Sequence, residues 1–254
     1  MNAQDKPDTK LEGRVFFDPY LPEALRQAHE YAAEDGFVVS MPQLLRARAN
    51  AGYRNEIWNF PLITTHSEEN VATTDQGTHV VVVVHGGGIF GSPERFKTLY
   101  HSNVSRHSET GFTGLFAAKL APDEARNIIK GHLPNGDEIP IYSYDELRKG
   151  IADLPCRYGI VIDFDTAKMA LTGNVAFDDL KEDALMIARA GGPDAAATYL
   201  ERAKSRNNSE VMGSWHNFKE IDPDQSQSRV LFLGGSEGGA TTEVYRDLSS
   251  KEQQ

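Results

Sequence analysis

Five consecutive valines, Val80 to Val84, lead into His85-Gly86-Gly87-Gly88, then Ile89-Phe90-Gly91 and Ser92-Pro93-Glu94. A β-branched run without polar alternation predicts a strand covered on both faces. The glycines release the backbone from that strand. Ser92 is suited to cap a helix, Pro93 to occupy its first position, and Glu94 to sit at its positive end. Strand, glycine loop and helix start together direct free backbone N–H groups at an anion.

The same grammar recurs. Ala184 to Ala190 reads as a second strand, followed by Gly191-Gly192 and a helix from Pro193 to Lys204. Arg229 to Leu233 reads as a third strand, with a loop from Gly234 to Gly239 and a helix over Thr241 to Leu248. Tyr158 to Ile162 is a further strand, ended by Asp163-Phe164-Asp165. Alternating strands and helices predict an α/β fold, a three-layer Rossmann-like arrangement with a mostly parallel sheet. Residues 1–12 read as a disordered leader and 249–254 as a tail. Residues 13–77 read as a helical and irregular segment packed on the α/β domain of residues 78–248, with the polar stretch from His66 to Thr78 as a loop. In such a sheet the glycine turns lie at one edge, where they either line a shared crevice or only make tight strand-to-helix turns.

The formal charge of −11 argues against general nucleic-acid binding and against an anionic membrane surface. No apolar run reaches the roughly 18 residues of a membrane span. The single cysteine, Cys156, leaves no intrachain disulfide and no cysteine-built zinc site, so a reducing, cytoplasmic location is expected. The histidine spacings do not fit a helical metal pair, the sequence names no cofactor, whether Asp163 and Asp165 hold a metal or cap a helix stays open, and oligomers are compatible with everything above.

Gly86 to Gly91 satisfies G-x-G-x-x-G in its strand-to-helix context, without the acidic residue that a dinucleotide site adds about 20 residues on. The motif therefore predicts a phosphate or other anion held by backbone N–H groups. His85 to Gly88 also resembles the HGGG oxyanion loop of lipases and esterases, and Gly234-Gly235-Ser236-Glu237-Gly238 resembles their nucleophile elbow. That resemblance implies Ser236 as nucleophile. No histidine follows it, so the base comes from His85 or His216, an unusual order. The two glycine loops are similar to those of the nucleotide phosphoribohydrolase family known as LOG. This implies a nucleotide pocket with Glu243 near the ribose and Arg95 on a phosphate. Asp163-Phe164-Asp165-Thr166 resembles the nucleophile motif of haloacid-dehalogenase phosphatases; the competing reading is that Asp165 caps the next helix.

The sequence therefore predicts a small-molecule-binding protein. A nucleotide-like or phosphorylated ligand would rest on Gly86, Gly87, Gly88, Gly91, Ser92, Arg95, Gly191, Gly192, Gly234, Gly235 and Glu243. The alternatives are a serine hydrolase using Ser236, His85 and His216, which leans the expectation toward an enzyme, and a non-enzymatic structural or interaction protein.

Overall fold

A computed structural model describes residues 11–18, 21–33, 36–52, 54–58, 62–98, 117–207, 210–214, 218, 221–224, 226–234 and 240–247. The strands are β1 (Leu11–Asp18), β2 (Gly36–Val38), β3 (Leu62–Thr73), β4 (His79–His85), β5 (Ala117–Lys119), β6 (Ile141–Ser143), β7 (Tyr158–Asp163), β8 (Gly173–Ala176), β9 (Val211–Ser214), β10 (Gln227–Gly234) and β11 (Ala240–Asp247). The helices are α1 (Leu21–Ala32), α2 (Met41–Asn50), α3 (93–98), α4 (Pro122–Ile129), α5 (Tyr144–Arg148), α6 (Phe164–Lys168), α7 (Phe177–Leu180), α8 (Ala184–Ala190) and α9 (Pro193–Asn207).

The valine run is β4, and it is buried on both faces as its composition requires. Val81 and Val83 join Val71, Tyr158, Ile160 and Ile162 beneath α2, α8 and α9. Val80, Val82 and Val84 join Ala72 beneath α1 and α4. Each buried valine contributes about 1.5–3 kcal/mol of transfer free energy. Helices on both faces thus reproduce the hydropathy of a parallel sheet.

The sheet is nevertheless not the expected one. Its main path runs β1-β11-β3-β4-β7-β6, with β10 and β2 pairing off it and β5 pairing β10. β4 is antiparallel to both of its neighbours, β3 and β7. Among the described residues, parallel pairing is confined to β6 with β7 and to one residue pair between β11 and β3. The three-layer, mostly parallel Rossmann-like reading is therefore replaced by a mixed, mostly antiparallel sheet. A solid valine run reports two-sided burial, and it carries no information on strand direction.

Three segments change type. Ala184 to Ala190 is the helix α8, begun by the Asp183 carboxylate accepting the Met186 N–H at 2.8 Å and ended by Gly191 in the left-handed conformation. Residues 241–247, expected as a helix, belong to strand β11, paired along its length with β1. The expected loop from His66 is strand β3, so residues 13–77 contribute β1, β2 and β3 to the sheet rather than forming a helical annex. No helix among the described residues is long and apolar enough to cross a membrane.

Candidate functional site

Four consecutive polar residues of β3, Ser67-Glu68-Glu69-Asn70, are all buried. Side chains alternate across a strand, so each face receives two. On the α8 face, Ser67 Oγ accepts the Met41 N–H at 2.9 Å and contacts His85 Nδ1 at 2.8 Å, while His85 Nε2 meets the Ala188 carbonyl at 3.0 Å. A carbonyl only accepts, so Nε2 carries the proton and Nδ1 accepts from the serine hydroxyl. Burial holds the imidazole neutral, with its pKa pushed down to about 4. Arg189 Nε donates to Glu69 Oε1 at 2.8 Å, in an ion pair enclosed between β3 and α8. His85, expected as a catalytic base, is thus a core residue with both ring nitrogens engaged.

On the opposite face, Glu68 Oε1 accepts the Ile89 N–H at 3.0 Å and the Asn70 Nδ2–H at 3.1 Å. Gly88 lies directly on this carboxylate, with φ +105°, and a Cβ there would overlap it. The glycine turn does direct a backbone N–H at an anion. The anion is the protein's own.

The outer side of this turn forms one wall of a cavity of about 410 Å³. Gly86, Gly87 and Gly91 line it, together with His29 and the end of α1, Phe37 and Val38 of β2, Gln43, His66, and the segments carrying Asn135, Asp137, Cys156 and Arg157. Asn135 and Asp137 belong to the turn at Asn135-Gly136. Asn135 Nδ2 donates to Asp137 Oδ2 at 2.7 Å and its Oδ1 accepts the Asp137 N–H at 3.2 Å. Arg157 Nη2 donates to the same Asp137 oxygen at 2.7 Å, and this guanidinium holds the Asp137 carboxyl below the usual carboxylate range. The ring of His29 stands edge-on to that of His66, centroids 5.2 Å apart. Desolvation, aided by His29 and Arg157, lowers the His66 pKa to about 3, so this imidazole is neutral. The Cys156 thiol is free and exposed.

The remaining expected residues do not gather here. Ser92 caps α3, its Oγ accepting the Arg95 N–H at 3.3 Å, and the Arg95 guanidinium pairs with Glu124 instead of awaiting a phosphate. Gly191 caps α8 beside Tyr158 and Pro42, and Gly192 begins the turn into α9 with φ +132°. Gly234 ends β10 opposite Leu62, and Glu243 sits in β11 opposite Val15. Gly235, Ser236 and His216 lie outside the described residues. At Asp163-Phe164-Asp165 the capping carboxylate is Asp163, which accepts the Thr166 N–H at 2.8 Å. Among the described residues no three or more His, Cys, Asp or Glu side chains converge as a metal-ligand set.

Sequence reasoning missed His29, Phe37, His66, Asn135, Asp137 and Arg157. The Asn135-Gly136 dipeptide is a turn signal, and nothing else in the sequence points to any of them. They come from five separate places in the chain.

No protein-family model matches the chain, and no curated protein matches it. It is similar to a solved structure that describes the accommodation of massive sequence variation in Nanoarchaeota by the C-type lectin fold. The identity is 22%, the TM-score 0.64, and the match covers 93% of this chain and 98% of that one. The architecture is therefore that of the C-type lectin fold. This overturns the nucleotide-binding and hydrolase readings, both of which presupposed Rossmann-like or α/β-hydrolase frames.

Proposed function

We propose that the protein acts by binding, without a covalent step, and that its ligand is a small neutral polyol, such as a sugar unit, seated in the cavity beside the glycine turn. The observation that carries this reading is the cavity wall itself. Asp137, Asn135 and Arg157 are planar groups already oriented by bonds to one another, and each can address two adjacent hydroxyls. The Asp137–Arg157 pair balances its own charge and His66 is neutral, so the site favours an uncharged guest. Phe37, 39% exposed, offers a ring at the rim for the apolar face of a sugar. The C-type lectin fold of the solved neighbour supports the same class. The free, exposed thiol of Cys156 supports a reducing setting such as the cytoplasm.

The test is calorimetric titration with a panel of neutral mono- and disaccharides. Binding is expected in the millimolar range, about −4 kcal/mol. Asp137→Ala is expected to weaken it at least about tenfold, the loss of one charged hydrogen-bonding group, while leaving the thermal midpoint near that of the parent. A panel without a binder, or binding that Asp137→Ala leaves unchanged, overturns the reading.

A further inference from the structure

We infer that Glu68 is the positioning residue of the cavity: it holds the glycine wall in place from behind, without touching the ligand. This rests on the cavity being the binding site. The turn is fastened to β3 at two residues on one face. The Gly86 N–H donates to the His66 carbonyl at 2.7 Å, and the Ile89 N–H to Glu68 at 3.0 Å. Between these anchors Gly88 lies flat on the carboxylate, and the turn closes with the Gly91 N–H on the Gly88 carbonyl at 3.2 Å. Gly86, Gly87 and Gly91 line the cavity, the first two with their Cβ directions closed against Arg157.

Those close approaches set the positions of the groups opposite. A Cβ on Gly87 would stand 2.8 Å from Arg157 Nη2, the atom that holds Asp137, and one on Gly91 would stand 3.5 Å from His66 Nε2. Neither imidazole Nε2 of His66 nor Nε of Arg157 has a hydrogen-bond partner among the described residues. The turn's position therefore governs both polar edges of the site. Glu68 is fully buried, and a carboxylate is retained in such a place only when it is hydrogen-bonded.

The test compares Glu68→Ala and Glu68→Gln with a stability control, Val84→Ala, which faces Glu68 across the β3–β4 pair and does not line the cavity. Two readouts need no ligand: amide hydrogen exchange at Ile89, and the alkylation rate of Cys156, the one thiol in the chain. Glu68→Ala is expected to speed exchange at Ile89 at least about tenfold beyond Val84→Ala, as loss of a bond to a charged acceptor implies, and to shift the alkylation rate several-fold. Glu68→Gln keeps an acceptor oxygen and restores both. Should Glu68→Ala fail to fold, Gly88→Ala presses on the same carboxylate from the turn side and is expected to give the same two changes. Exchange at Ile89 equal to that of the control, or no rescue by glutamine, overturns the role of Glu68. If both readouts behave as expected while no sugar binds the parent, the polyol reading fails and the positioning role stands. If sugar binds the parent and Glu68→Ala binds it equally well, the positioning role fails.

Discussion

Ser67→Ala tests whether the buried relay that ties α2 and α8 to the sheet is as described. The serine hydroxyl accepts the Met41 N–H at 2.9 Å and donates to His85 Nδ1 at 2.8 Å. Serine and histidine are both within 1% of complete burial. Removing one oxygen leaves a backbone donor in the first turn of α2 and an imidazole acceptor without partners. His85 cannot rescue itself by changing tautomer, because its Nε2 faces the Ala188 carbonyl, which needs the proton where it is. Each stranded buried group costs about 1–3 kcal/mol, giving a loss of about 2–6 kcal/mol. In a chain of this size 1 kcal/mol moves the thermal midpoint by about 2–4 °C, so the midpoint falls by roughly 4–24 °C. Urea unfolding followed by far-ultraviolet dichroism and by tryptophan fluorescence reads the loss as a lower midpoint at unchanged slope. Nitrogen-15 shifts of His85 report the tautomer directly. A loss below about 1 kcal/mol, or an unprotonated Nε2 in the parent, refutes the relay.

The same histidines set the acid limit of the fold. His85 and His66 have folded pKa values lowered to about 4 and about 3 from an ordinary 6.5, chiefly by burial. The unfolded chain binds more protons below pH 6.5, so stability is complete above that value. It falls as the pH drops toward 4 for His85 and toward 3 for His66, with about 3 kcal/mol at stake for His85 alone. Urea midpoints across this range check it, and a flat profile from neutrality to about pH 4.5 refutes it. Arg189→Leu strands the Glu69 carboxylate in the core and is expected to cost about 3–5 kcal/mol, whereas replacing both partners with leucine recovers most of that, a contrast read in a double-mutant cycle.

How far the chain can be read before folding depends on which contacts decide each segment. The valines declare a strand buried on two faces, and β4 is one. Its direction is decided by β3 and β7, which the run cannot report. Ala184 to Ala190 is apolar enough for a strand or a helix, and the deciding signals are local: Asp183 as a cap before it and Gly191 as a left-handed stop after it. Ser67 to Asn70 reads as a loop because polar residues rarely fill a central strand. They do so here because each face offers partners from distant segments, Met41, His85 and Arg189 on one and the glycine turn at residue 89 on the other. For the site, Gly86, Gly87 and Gly91 could be singled out from their motif. The facing wall at residues 135–157 could not, since nothing in a sequence states which turn will stand across from another.

The glycine turn shows why a sound local argument led to the wrong ligand. A strand that breaks into glycines before a helix does direct N–H groups at negative charge. Free donors do not decide the ligand where an acceptor is already present within the fold. Glu68 is 21 positions from Ile89 in sequence and 3.0 Å from it in space, and its buried carboxylate needs the donor as much as any bound phosphate would. With the N–H of Ile89 turned inward, the turn meets the cavity with its glycine surfaces, and the hydrogen-bonding groups there come from Asn135, Asp137 and Arg157. In the proposed binding mode, a wall without side chains facing planar polar groups would favour a guest by shape and paired hydroxyl contacts rather than by charge. The internal carboxylate takes the Ile89 N–H on which the expectation of an anion rested.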